Sequence, residues 1–244
     1  MAPLIPHSRP TLGEEEARAA AEAVRSGQVA GGDRVARFEA EMAAYLGRAE
    51  AVATSSGTAA LHLALEAIGV GPGDKVVIPS YNCAALAHAV RHAGAEVRFC
   101  DVDPATGNPT PGTVAPAAQG ARAIVVTHLF GAPADAKGIA AIGPEVIEDI
   151  AQGLGARGVE GLAGGAGRAA VCSFYATKLL TSGGEGGMIL GDDPEILARA
   201  REARSYDERE DLAPRWNYKL TDLQAAVGLA QLSRYEEVIG RRRE

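Results

Sequence analysis

Short apolar runs rich in β-branched residues recur along the chain, and stretches with helical spacing separate several of them. The runs KVVIPS (75–80), AEVRFCDV (95–102), ARAIVVTHLF (121–130), PEVIED (144–149), AAVCSF (169–174) and GMIL (187–190) read as strands. Between them, TAALHLALEAIG (58–69), AALAHAVRHAG (84–94) and DAKGIAAIG (135–143) read as helices. Ahead of this alternation, residues 14–27 open on three glutamates and close on a glycine, as helix ends prefer. A second helix is predicted over 34–46, where Val35, Phe38, Met42 and Leu46 share one face and Gly47 ends it. A last helix is predicted over TDLQAAVGLAQLSRYEEVIGRRR (221–243).

Strands that are apolar on both faces and alternate with helices predict an α/β protein: three layers, α/β/α, around a mostly parallel central sheet. Such sheets bind ligands at the carboxyl ends of their strands. The residues just after each apolar run are therefore where chemistry is sought. The chain divides into an N-terminal helical segment (1–50), a ligand-binding large domain (51–205) and a linking segment with its helix (206–244).

Composition narrows the classes of function. The chain has 244 residues, enough for one substantial core, and is 47% hydrophobic and 23% charged, as globular proteins are. A net charge of -7 argues against nucleic acid as a partner. Cys83, Cys100 and Cys172 are widely spaced without a CxxC, which makes neither a disulfide framework nor a zinc site; buried thiols in a reducing compartment are expected. His88 and His92 stand four apart but have no third ligand, so no metal is expected. The first residues lack the apolar core of a leader peptide, and no run reaches the roughly 18–20 apolar residues that span a bilayer. The expectation is a cytoplasmic protein without a membrane partner. GGEGG lacks the spacing of a dinucleotide fingerprint, and neither a Walker A nor a GxSxG motif is present.

Three motifs remain, each with a plainer reading beside the chemical one. Ser55-Ser56-Gly57-Thr58 leads into a helix, where it is either an ordinary N-cap or a phosphate-binding helix end. VIEDIAQ (146–152) ends a strand in two carboxylates; Asp149 either opens the next helix or faces a cationic ligand. Lys178 is either a solvated surface cation or a nucleophile for a carbonyl, held in SFYATKLLTSGGEGG among residues whose backbones let a planar ligand approach. Taken together, the three suit one ligand with a phosphate, a ring nitrogen and an aldehyde, which is pyridoxal 5′-phosphate.

The same residues resemble the DegT/StrS-type sugar aminotransferases, of the aspartate aminotransferase fold type I. The resemblance runs over nearly the whole chain, through GGDRVARFEAEMAAYLG, SSGTAALHLAL, GPGDKVVIPSY, VIEDIAQGLGA, SFYATKLLTSGGEGGMI and WNYKLTDLQAAVGLAQL. It implies that Lys178 forms the Schiff base, Asp149 pairs with the pyridine nitrogen and Gln152 lies beside the ring. Gly57, Thr58 and Ser173 would hold the phosphate, and Asn217 would reach the phosphate of the partner subunit in a homodimer. Many relatives stack an aromatic on the ring where this chain has Cys83, with Tyr81 and Asn82 as neighbours. Relatives also continue into a small C-terminal domain, and the expectation from the resemblance is that this sequence, which stops at Glu244, does not include it. The implied reaction is transamination from an amino donor, L-glutamate, to a keto sugar linked to a nucleotide. The alternatives are a dehydratase on the same scaffold, in which related enzymes replace the lysine by histidine, or a cofactor-binding chain that does not turn over without a partner.

Overall fold

The computed structural model describes residues 8–159 and 161–244. Residues 1–7, the start of the segment in which no leader peptide is expected, lie outside the described residues. In chain order the helices are α1 (Glu14–Ser26), α2 (Asp33–Leu46), α3 (Gly57–Ala67), α4 (Ala85–His92), α5 (Pro111–Ala118), α6 (Ala136–Ala140), α7 (Pro194–Ala203), α8 (Asp222–Ser233) and α9 (Tyr235–Arg243). The strands are β1 (Glu50–Thr54), β2 (Lys75–Pro79), β3 (Glu96–Cys100), β4 (Ala123–Thr127), β5 (Glu145–Asp149), a small pair β6 (Arg157–Gly158) and β7 (Gly161–Leu162), β8 (Ala169–Ser173) and β9 (Gly187–Gly191).

Seven strands make one sheet in the order β1-β9-β8-β5-β4-β2-β3. From β3 through β8 the neighbours are parallel, while β9 runs against both β8 and β1. The mostly parallel sheet is as predicted, and its period-2 pattern sorts the core. Val76, Ile78, Val125, Ile147, Val171 and Ile189 face α3, α4 and α7. The alternate residues Ala170, Cys172, Met188 and Leu190 face α2, α8 and α9. Val77, Ile124, Val126 and Val146 continue that second face under α5 and α6. Helices therefore cover both faces, which is why the strands are apolar throughout.

Some elements differ from the pattern reading. β1, α5, α7 and the β6–β7 pair add to it. The apolar run 121–130 leaves the sheet at Thr127, and Phe130 ends up exposed with a left-handed φ of 54°. The last helix breaks at Arg234 (φ -118°, ψ 15°) into α8 and α9. Among the cysteines, Cys100 and Cys172 are buried, but Cys83 is exposed on the loop after β2, contrary to the expectation for all three. β3 is an edge strand, so its Phe99 is open to solvent and not covered on both faces.

No helix among the described residues is long and apolar enough to cross a membrane. None of their His, Cys, Asp and Glu side chains form a group of three or more able to hold a metal.

Candidate active site

Thr127, Asp149 and Ser173 are the last residues of three neighbouring strands, β4, β5 and β8. Thr127 pairs in register with Asp149. Each follows Val125, Ile147 or Val171 by two positions, so each projects onto the α3 side of the sheet.

The first turn of α3 closes on them. Ser56 caps the helix by accepting the Ala59 N–H at 3.1 Å. The plain N-cap reading is thus correct as far as it goes. It leaves the Gly57 and Thr58 N–H groups without an acceptor among the described residues, pointing out of the positive helix end. Glycine is required at 57 because a Cβ there would lie 2.7 Å from the Ser173 Cβ. A Cβ on Gly187 would run into the Ser56 carbonyl. Small residues here bring the α3 turn against the ends of β8 and β9.

Lys178 sits in the loop between β8 and β9, the connection that reverses the chain at the sheet's carboxyl edge. The loop is stapled to itself. Phe174 N–H donates to Gly186 O at 2.8 Å, Ala176 N–H to Gly184 O at 2.9 Å and Ser182 N–H to Phe174 O at 3.1 Å. Lys178 N–H closes a turn onto Tyr175 O at 2.9 Å. Gly183 and Gly184 take φ values of 89° and 151°, which only glycine adopts without strain. Lys178 is half-buried, not a fully solvated cation.

Asp149 also departs from its plain reading. Its Oδ1 accepts the Ala151 N–H at 2.9 Å in a tight turn, and no helix follows. Burial pushes its carboxyl above the usual aspartate range, and the Ala151 N–H and the Lys178 charge only partly oppose that. A cation brought to its other oxygen would restore the charged form.

Glu148, on the opposite face, is buried and fully used. It accepts Gly164 N–H at 2.9 Å, Ala166 N–H at 2.7 Å and Gly167 N–H at 2.6 Å. His128 Nε2 adds a fourth bond at 2.9 Å. Because His128 Nδ1 accepts the Ala134 N–H at 3.0 Å, its ring proton is on Nε2 and goes to Glu148. Burial opposes the charge on Glu148, but these donors outweigh it and hold its carboxyl below the usual range. The pair pins the end of β4 to β5 and the 163–167 turn beneath.

Gly57, Thr58, Cys83, Asp149, Gln152, Ser173 and Lys178, expected from the three motifs and from the family resemblance, line one cavity of about 290 Å³. Asn82 lines it too, and Tyr81 does not. Asn217 lies outside the cavity and is exposed. Its neighbours are anchored: Trp216 and Tyr218 stack on each other and meet His62 edge to face, Trp216 Nε1 donates to Glu66 at 3.0 Å, and Tyr218 O accepts Ser55 N–H at 2.7 Å. The segment is thereby tied to the turn that opens α3. Thr127 and His128 also line the cavity and had not been singled out in the sequence. The signal was present, since both stand near the end of the run 121–130, but the point where the strand stops decides which of its residues face the site.

Residues 10–244 match the DegT/DnrJ/EryC1/StrS aminotransferase family. The chain belongs to that family. Among its relatives, the dTDP-4-dehydro-2,3,6-trideoxy-D-glucose 4-aminotransferase of Saccharopolyspora spinosa is 38% identical over 97% of this chain and 67% of its own. The crystal structure of the aminotransferase TlmJ from Streptoalloteichus hindustanus superposes with a TM-score of 0.89 at 40% identity, covering 96% of this chain and 67% of that one. The structure of Spr1654 from Streptococcus pneumoniae in its PMP form gives a TM-score of 0.90 at 25% identity over 98% of this chain and 68% of that one. This DegT/DnrJ/EryC1/StrS chain spans between 58% and 67% of the length of three curated relatives.

Proposed function

We propose that this chain carries the cofactor site of a pyridoxal-phosphate-dependent sugar aminotransferase, which moves an amino group from L-glutamate to a keto sugar linked to a nucleotide. The carrying observation is the convergence of Lys178, Asp149 and the open amides of α3 on one cavity. The residues fit the cofactor: a helix end for its phosphate, a carboxylate for its ring nitrogen, an amine for its aldehyde and glycines where its plane needs room. When bound, pyridoxal phosphate supplies an aldehyde that condenses with amines and a ring that accepts the electron pair left when a proton departs.

The protein's part is to hold and move protons. Asp149, desolvated when alone, is charged once it faces the protonated ring nitrogen, and it keeps that nitrogen protonated. Lys178, which lines the same cavity, would hold the aldehyde through its amine and, when that amine is free, would serve as the general base and acid for the substrate's proton. Gly57, Thr58 and Ser173 bind the phosphate, and Gln152 contacts the ring. The Glu148–His128 pair holds the strand ends still beneath them. Asn217, presented between two anchored aromatics, completes the phosphate site of a second subunit, which makes the working form a homodimer.

The nucleotide-linked acceptor is supported by the Saccharopolyspora relative, whose name specifies a dTDP-sugar. A lysine at 178 favours amino transfer over the dehydratase alternative. Purified protein supplied with pyridoxal phosphate should turn yellow, and L-glutamate should bleach that visible band. A band that ignores every amino donor would leave a cofactor-binding chain without turnover and refute the transferase reading.

A further inference from the structure

One polar atom of the cavity is left idle by its own surroundings. Thr127 is 3% exposed, and its Oγ1 has no hydrogen-bond partner among the described residues. Five side chains hold such atoms: His62, Thr127, Arg204, Asp222 and Arg234. The other four lie away from the cavity: Arg204, Asp222 and Arg234 form ion pairs with Glu39, Arg34 and Glu16 respectively, and His62 Nε2 lies 3.3 Å from Glu66 Oε1. Thr127 alone lines the cavity. A buried hydroxyl without a partner is costly, and native proteins seldom leave one so. Its place is specific as well, beside Asp149 in register and on the same face of the sheet.

We propose that Thr127 is a cofactor-binding residue whose hydroxyl donates a hydrogen bond to the phenolic oxygen of bound pyridoxal phosphate. The inference rests on the functional reading above and is reached by elimination. In that reading the ring nitrogen faces Asp149, the phosphate faces α3 and Ser173, and the aldehyde faces Lys178. The phenolic oxygen is the polar group of the ring still without a donor of fixed position. It has lone pairs for two, so Thr127 shares it with Gln152.

The test uses pyridoxamine phosphate, which binds without the covalent link to Lys178 and so isolates the contact. Thr127→Val keeps the volume and removes the donor. Its dissociation constant for pyridoxamine phosphate, measured by calorimetry, should rise about tenfold. The melting temperature of the ligand-free variant should stay equal or rise, because an unpartnered hydroxyl has been removed. For the 3-deoxy analogue of the ligand, wild type and variant should bind alike. Thr127→Ser, which restores the hydroxyl, should bind pyridoxamine phosphate nearly as wild type does. Equal affinity of wild type and Thr127→Val for pyridoxamine phosphate would overturn this inference alone. So would an equal loss with the 3-deoxy analogue, or ligand-free instability that Thr127→Ser does not repair. A wild type that binds no pyridoxamine phosphate would overturn the functional reading and this inference with it.

Discussion

Glu148 and Asp149 are adjacent carboxylates whose environments drive them apart. Strand alternation sends Glu148 to three backbone donors and His128, and sends Asp149 into the cavity with one donor. Glu148→Gln removes the charge those donors serve and should lower stability by about 3 kcal/mol at neutral pH. The folded carboxyl titrates below its unfolded value of 4.5, so its contribution is present above that pH and lost as pH falls through the folded value. Denaturation midpoints of wild type and Glu148→Gln should therefore converge in acid; a gap that stays constant with pH would contradict this. Asp149 carries the opposite sign in the ligand-free protein, since its raised value penalises the fold at neutral pH. Asp149→Asn should accordingly leave the ligand-free fold as stable or more stable, while visible-band changes with L-glutamate are lost. The acid and the lysine were legible because their motifs stand out locally. Thr127, His128 and Glu148 were not, because their roles follow from where β4 stops and which face each residue takes.

Elements legible in the sequence are those whose pattern repeats. The five-residue strands of the parallel sheet announce themselves by valine and isoleucine, and α2 and α3 by their spacing and their glycine or serine ends. β1, written EAVAT, is too rich in alanine to separate from helix. α5 begins at Pro111 and contains Pro116, which reads as loop until the Thr110–Thr113 capping box is seen. The break at Arg234 has no glycine or proline to announce it. It accompanies the burial of Tyr235, whose hydroxyl bonds Leu154 O at 2.9 Å. Helix α8 meets α2 at Gly228, where a Cβ would come 2.7 Å from the Phe38 ring. Phe38 in turn packs on Phe174 at 5.0 Å between ring centroids, at the start of the Lys178 loop. Gly228→Val should cost about 1–3 kcal/mol through that overpacking, read as a lower melting temperature. Cofactor affinity should weaken in parallel, because displacement of Phe38 presses on the loop.

For the whole molecule, the fold brings the three motifs to one end of a single sheet, while Asn217 is exposed and outside the cavity of its own chain. If that asparagine serves a second copy, the sites are shared across the dimer. Mixing Lys178→Ala with Asn217→Ala, each inactive in the glutamate half-reaction, should then recover about a quarter of wild-type sites, since half the dimers are mixed and one site in each is intact. No recovery on mixing would confine Asn217 to its own subunit. All of this depends on a covalent partner for the amine at 178 within reach of the acid at 149. The most direct measurement is to load the protein with pyridoxal phosphate, reduce it with borohydride, digest it and locate the modified residue by mass spectrometry. The account predicts a single pyridoxyl adduct on Lys178, absent from Lys178→Ala. Label on another lysine, or none, would contradict it.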